Sequence, residues 1–247
     1  MTTEEAAIPT PHDELFRDAL LVAFTFATGI VDAVSYLGLG SIFTANMTGN
    51  TVFLALAIGQ RNLLAGAHSA DALVGFAVGA IIAGRMIGSS KRTAIWPPSV
   101  TRVFGGELAL LVLFNLGWVL VDGAPTGPAL YALIALSSIA MGMQSAAARY
   151  LAAPGLTTNV LTTAFTGLMA ESAALGIAGS LHRRWTATVV FLFGGAAVGG
   201  ALLLTVRTVP PFLTTATVAA VCILGYVHFH RPVDKSAIVD SADGQTK

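Results

Sequence analysis

Between residues 15 and 229 the chain is a succession of apolar runs, most of them near the length that crosses a bilayer. A hydrocarbon core of about 30 Å takes about 20 helical residues. Backbone polar groups find no water there, so a spanning segment must satisfy them itself, as a helix does. That leaves an all-α fold, a polytopic transmembrane helical bundle. Charged residues are 11% of the 247, against about 25% in soluble domains, and mean hydropathy is +0.76. A soluble protein of this size could not cover its surface with so few charges.

Eight apolar segments can be marked, at 15–39, 43–59, 70–87, 103–121, 129–152, 156–179, 186–206 and 212–229. Residues 1–14 read as a disordered acidic N-terminus, which argues against a cleaved signal peptide. Residues 15–230 read as one transmembrane domain with halves at 15–122 and 129–230. The polar residues 231–247 read as a disordered tail. Formal net charge is zero, so there is no electrostatic case for nucleic acid. The single cysteine, Cys222, excludes an internal disulfide. No metal-ligand spacing and no cofactor motif is present, and none is expected to be bound. An enzyme is not expected either, since no HExxH, Cys–His pair or Ser–His pair at plausible depth is found.

The halves resemble one another. A shift of 113 residues places Ala27, Gly29, Ala33, Thr44, Asn46 and Ala57 on Ala140, Gly142, Ala146, Thr157, Asn159 and Ala170. With a longer loop, "GFAVGA" from Gly75 matches "GAAVGG" from Gly195. Lys and Arg then test the topology, because they favour the cytoplasmic side. If all eight segments cross with the N-terminus inside, twelve basic residues (Lys247 at the far tail omitted) divide six against six. If the second and sixth segments enter and return, only Arg61 and Arg207 lie outside and ten lie inside. The second model is preferred, and it makes the halves inverted repeats with re-entrant segments, a recurrent transporter architecture.

Both re-entrant segments begin with polar residues. "FTANMTGN" opens the second and "GLTTNVLTT" the sixth. A helix that starts at membrane depth has orphan N–H groups, and Asn, Ser and Thr are good N-caps. The cap candidates are Thr44, Asn46 and Thr48 in the second segment and Thr157, Thr158 and Asn159 in the sixth; Asn46, Thr48, Asn50, Asn159 and Thr162 are candidate ligands, since the positive helix end can hold an anion or a polar solute. Against this, Thr and Asn also join transmembrane helices by hydrogen bonds.

Asp32 is the sharper signal. It lies inside the first segment, and ionisable residues there are costly and functional by default. Thr25, Gly29, Asp32 and Tyr36 share one helix face, and their repeat mates are Ser138, Gly142, Ser145 and Arg149. Gln144 neighbours that face. Asp32 can carry a proton or hold a cation; it can also pair with Arg149 as a structural bridge. Arg149 near its segment end can equally reach the interface. Gly75 and Gly79, Gly84 and Gly88, and Gly195 and Gly199 form GxxxG pairs that read as packing faces, within the chain or between copies in a homo-oligomer.

"GIVDAVSYLGLGSIFTANMTGN" and "MGMQSAAARYLAAPGLTTNVLTT" resemble the YoaK-like family of bacterial multi-pass inner-membrane proteins, domain of unknown function 1275. The resemblance covers roughly residues 15–229. It implies a plasma-membrane, multi-pass helical protein and supplies no substrate. The residues themselves favour a small transporter or channel-like permease for a small solute or ion. The alternative is a non-transporting assembly or signalling partner. A cavity reaching Asp32 and Asn46 favours the first, a packed interior the second.

Overall fold

The computed structural model describes residues 10–88, 95–151, 161–174 and 180–229. These residues form eight helices and no strand: α1 (Pro11–Gly38), α2 (Met47–Gly59), α3 (Leu63–Ile87), α4 (Pro98–Leu120), α5 (Gly127–Leu151), α6 (Leu161–Ala174), α7 (Ser180–Thr205) and α8 (Val209–Phe229). Six of them, α1, α3, α4, α5, α7 and α8, are long and apolar enough to cross a membrane. At 13 and 14 residues, α2 and α6 reach only about 20 Å, well short of a hydrocarbon core.

Local signals set the helix starts. Helix α1 begins at Pro11, earlier than the apolar boundary at residue 15, because Thr10 and Asp13 form a capping box with Pro at the first helical position. Asn46 caps α2 and Asn62 caps α3, each side chain accepting from a backbone N–H three residues on. Pro98 opens α4.

Large apolar side chains face outwards as well as inwards, and several polar ones lie inside. Ile58, Val74, Leu113, Phe193 and Ile223 are exposed, while Thr28, Ser35, Asn50, Glu107, Ser137 and Gln144 are buried. Apolar side chains facing lipid lose nothing there, and polar ones inside find each other.

The two most extensive helix pairings are α3 with α5 and α1 with α7. Both run parallel. In the first, Gly75 lies against Ala135 and Ser138, Gly79 against Ile139, and Gly142 against Phe76 and Ala80. In the second, Gly29 lies against Leu192 and Ala196, Gly195 against Phe26, and Gly199 against Ile30. Glycine lets these backbones touch. Gly84 and Gly88 have no such contact among the described residues of the chain, for a Cβ at either would meet nothing within 4 Å. Helices α1 and α5 run in opposite directions, since Phe24 and Thr28 meet Gln144 while Thr44, beside Ser35, meets Ser137.

Candidate functional site

After Gly38 the chain turns back alongside the end of α1 before α2 begins. Ser35 Oγ accepts from the Thr44 N–H at 3.3 Å, and Asp32 Oδ1 accepts from the Ala45 N–H at 3.2 Å. The Asn46 N–H also reaches the Asp32 carboxylate. Ser137 of α5 donates to Thr44 Oγ1 at 2.9 Å. Asn50 is fully buried and fastens Phe43 twice, accepting from its N–H at 2.9 Å and donating to its carbonyl. The break between α1 and α2 thus has its backbone groups satisfied inside the protein, as a low-dielectric setting requires.

This placement answers what the polar stretch does locally. Asn46 is the N-cap and is exposed, and Asp32 places its carboxyl at the positive end of α2. Thr48 is exposed in the first turn of α2. Gln144 bonds across to α1, donating to Thr28 Oγ1 at 3.1 Å and the Phe24 carbonyl at 3.4 Å; its Oε1 has no partner.

Other expected residues lie apart. Arg149 is exposed near the end of α5, beside Gly84, Ile87 and Gly88 at the end of α3. Asp32 sits towards the opposite end, because α1 and α5 run in opposite directions, so the two form no bridge. Thr162 is exposed on α6, and Asn159 falls outside the described residues.

Sequence reasoning missed Glu107. It is the lone charge between Arg102 and Asp122, it is 0% exposed in α4, and neither carboxylate oxygen has a hydrogen-bond partner. The Cys222 thiol of α8 lies in its neighbourhood. The rule that singles out Asp32 applies equally here. Because no hydrogen bond would be lost, Glu107→Gln should keep the wild-type unfolding temperature in detergent and Glu107→Leu should raise it. An unpartnered buried polar group costs about 1–3 kcal/mol, so a lower unfolding temperature for the Leu variant would reveal a partner.

Between α1, α4, α5 and α8 lies a cavity of about 10 Å³ lined by Val31, Ser35, Leu111, Phe114, Ser137 and Thr214, among others. That is room for about one water. Ser35 links it to the break, but neither Asp32 nor Asn46 lines it.

The model of a family described as "Protein of unknown function (DUF1275)" matches residues 20–227. The chain is also 39% identical, over 156 residues, to the UPF0700 transmembrane protein YoaK of Bacillus subtilis (strain 168). That match covers 63% of this chain and 67% of the relative. No solved structure matches the chain. Six apolar spans and a family match along most of the length lead to one conclusion: this is an integral membrane protein that belongs to the DUF1275 family, whose function is unknown.

Proposed function

We propose that the protein is a small permease of the plasma membrane that moves a small solute or ion between two inverted halves, and that it has no enzymatic role. The observation that carries the reading is the break between α1 and α2, where a helix N-terminus, its exposed cap Asn46 and the half-buried carboxyl of Asp32 converge. Discontinuous helices of this kind are where transporters of inverted-repeat architecture bind substrate and ion.

The order of helix ends supports inversion. Asp18 at the start of α1 pairs with Arg184 at the start of α7, and Phe16 meets Phe229 at the end of α8. At the far end, Trp118 of α4 packs on Gly38 and donates to the Arg207 carbonyl, and His68 of α3 lies beside Gly40 and Tyr131. On this reading α1 leaves and α3 enters at one end, so α2 turns back without crossing. The glycine seams support duplication: Gly29 faces α7 as its repeat mate Gly142 faces α3.

The charge distribution follows. Arg61 and Arg207 fall at one end, and Arg17, Arg85, Arg102, Arg149 and Arg184 at the other, which the positive-inside preference makes cytoplasmic. With Cys222 replaced by serine, an impermeant thiol reagent applied to intact cells should label Gln60→Cys and miss Pro98→Cys. The reverse pattern would overturn the topology.

The hydrogen bonds from Gln144 to Thr28 and from Asn115 to Thr215 favour a second reading, a non-transporting assembly or signalling partner whose polar residues lock helices together. One experiment separates the two. Purified protein is screened for thermal stabilisation across a panel of ions and metabolites, and any stabilising solute is tested for uptake into proteoliposomes. The permease reading expects a saturable shift and uptake of that solute. No shift and no uptake across the panel would leave the assembly reading.

A further inference from the structure

The first and last spanning helices meet at one end of the bundle, and three metal-ligating side chains meet with them. His228 Nε2 lies 3.0 Å from Asp13 Oδ1. The rings of His12 and His228 are 5.5 Å apart, and one ligand atom from each of His12, Asp13 and His228 lies within 4.8 Å of the others. Around a tetrahedral ion with bonds of about 2.0–2.2 Å, ligand atoms sit about 3.3 Å apart. Small side-chain rotations close that difference.

The surroundings fix two of the three groups. Asp13 Oδ2 accepts from the Thr10 N–H at 3.1 Å and from Thr10 Oγ1 at 2.7 Å, which leaves Oδ1 turned towards His228. A carboxylate held from behind by hydrogen bonds is the usual support for a metal ligand. Phe16 stacks on the His228 ring at 4.1 Å and Phe229 meets it edge-on at 4.7 Å. His12 is exposed, so an ion can enter from water and keep water in its remaining positions.

We propose that His12, Asp13 and His228 form a divalent transition-metal site that ties the start of α1 to the end of α8. Two imidazoles and one carboxylate suit zinc and its late first-row neighbours; calcium and magnesium favour all-oxygen sets. The site lies apart from the α1–α2 break and stands whether or not the protein transports.

The test uses the full chain, purified through a tag that contains no histidine and stripped with chelator. Zinc alone is titrated by calorimetry and by thermal unfolding. The expected result is saturable binding of one equivalent with a raised unfolding temperature, and no such shift from magnesium or calcium. His12→Gln, at an exposed position, and His228→Gln should each weaken zinc at least tenfold, while His68→Gln, at the opposite end, should not. Cobalt in place of zinc should give visible absorption that both ligand variants lose. Zinc binding that is absent, or equally strong in His12→Gln and His228→Gln, would overturn the site and leave a plain His–Asp contact.

Discussion

Gly79→Ala should destabilise the protein by about 1–3 kcal/mol, the usual cost of forcing extra volume into a packed interior, and Gly142→Ala should do the same. A Cβ at Gly79 would lie 2.0 Å from the Ile139 carbonyl oxygen, and one at Gly142 2.1 Å from that of Phe76. Both neighbours are backbone, so no side-chain rotation relieves the clash and α3 must move away from α5. The other seam repeats the geometry, with 2.2 Å from Gly29 to the Leu192 oxygen and 2.1 Å from Gly195 to that of Phe26. Gly84→Ala is the control, since its Cβ meets nothing. Thermal unfolding in detergent reads all of these. A Gly79→Ala protein as stable as Gly84→Ala would mean that the seam is looser than its backbone contacts indicate.

Asp32→Ala should be the other severe change. The carboxylate accepts from the Ala45 N–H and meets that of Asn46 as the chain enters α2. Removing it leaves those donors without a partner, at about 1–3 kcal/mol for each group that water cannot reach. Asp32→Asn keeps one acceptor oxygen, and the attraction to the helix end that it removes from an ionised Asp32 is worth at most about 0.3–1 kcal/mol. The Asn variant should therefore fold, and under the permease reading it should lose solute-driven stabilisation and uptake. Adding Arg149→Gln should restore nothing, because Arg149 sits towards the other end of the bundle. Recovery of stability in that double variant would show that the two residues pair after all.

These residues also show what a linear reading can reach. The α1–α2 break was legible because its chemistry is local: a polar run amid apolar ones, an Asn in position to cap, and an acid one helix earlier. The seam glycines were legible as a type, since GxxxG spacing marks close packing wherever it occurs. Which partner each glycine faces was not, and Gly84 with Gly88 has the spacing without a neighbour inside the chain. The start of α1 was legible in "TPHDEL", where a capping box precedes the apolar run, yet hydropathy alone places it later. Glu107 was visible as a single charge among apolar residues, but nothing in its neighbours tells that it is buried without a partner. The meeting of His12 and Asp13 with His228 was illegible, because the residues come from opposite ends of the chain and only the bundle brings them together. Asp32 and Arg149 failed as a pair for a related reason: each lies towards the C-terminal end of its helix, and α1 and α5 run in opposite directions, so the two fall towards opposite ends of the bundle.

The parallel seams bear on how the chain is made. Helix α1 finds its glycine-lined partner in α7, and α3 finds its partner in α5. Neither half of the chain contains both members of a seam, so neither half can close its own interior. Gly29 leaves the ribosome 166 residues before Gly195 (195 − 29), and at about 5–20 residues per second that gap lasts roughly 8–33 s. For that interval α1 sits in or beside the bilayer with its polar groups and its glycine face uncovered, and an insertion factor or a temporary helix neighbour has time to occupy them. Cutting the chain between α4 and α5 should yield fragments that are degraded when made alone and persist when made together.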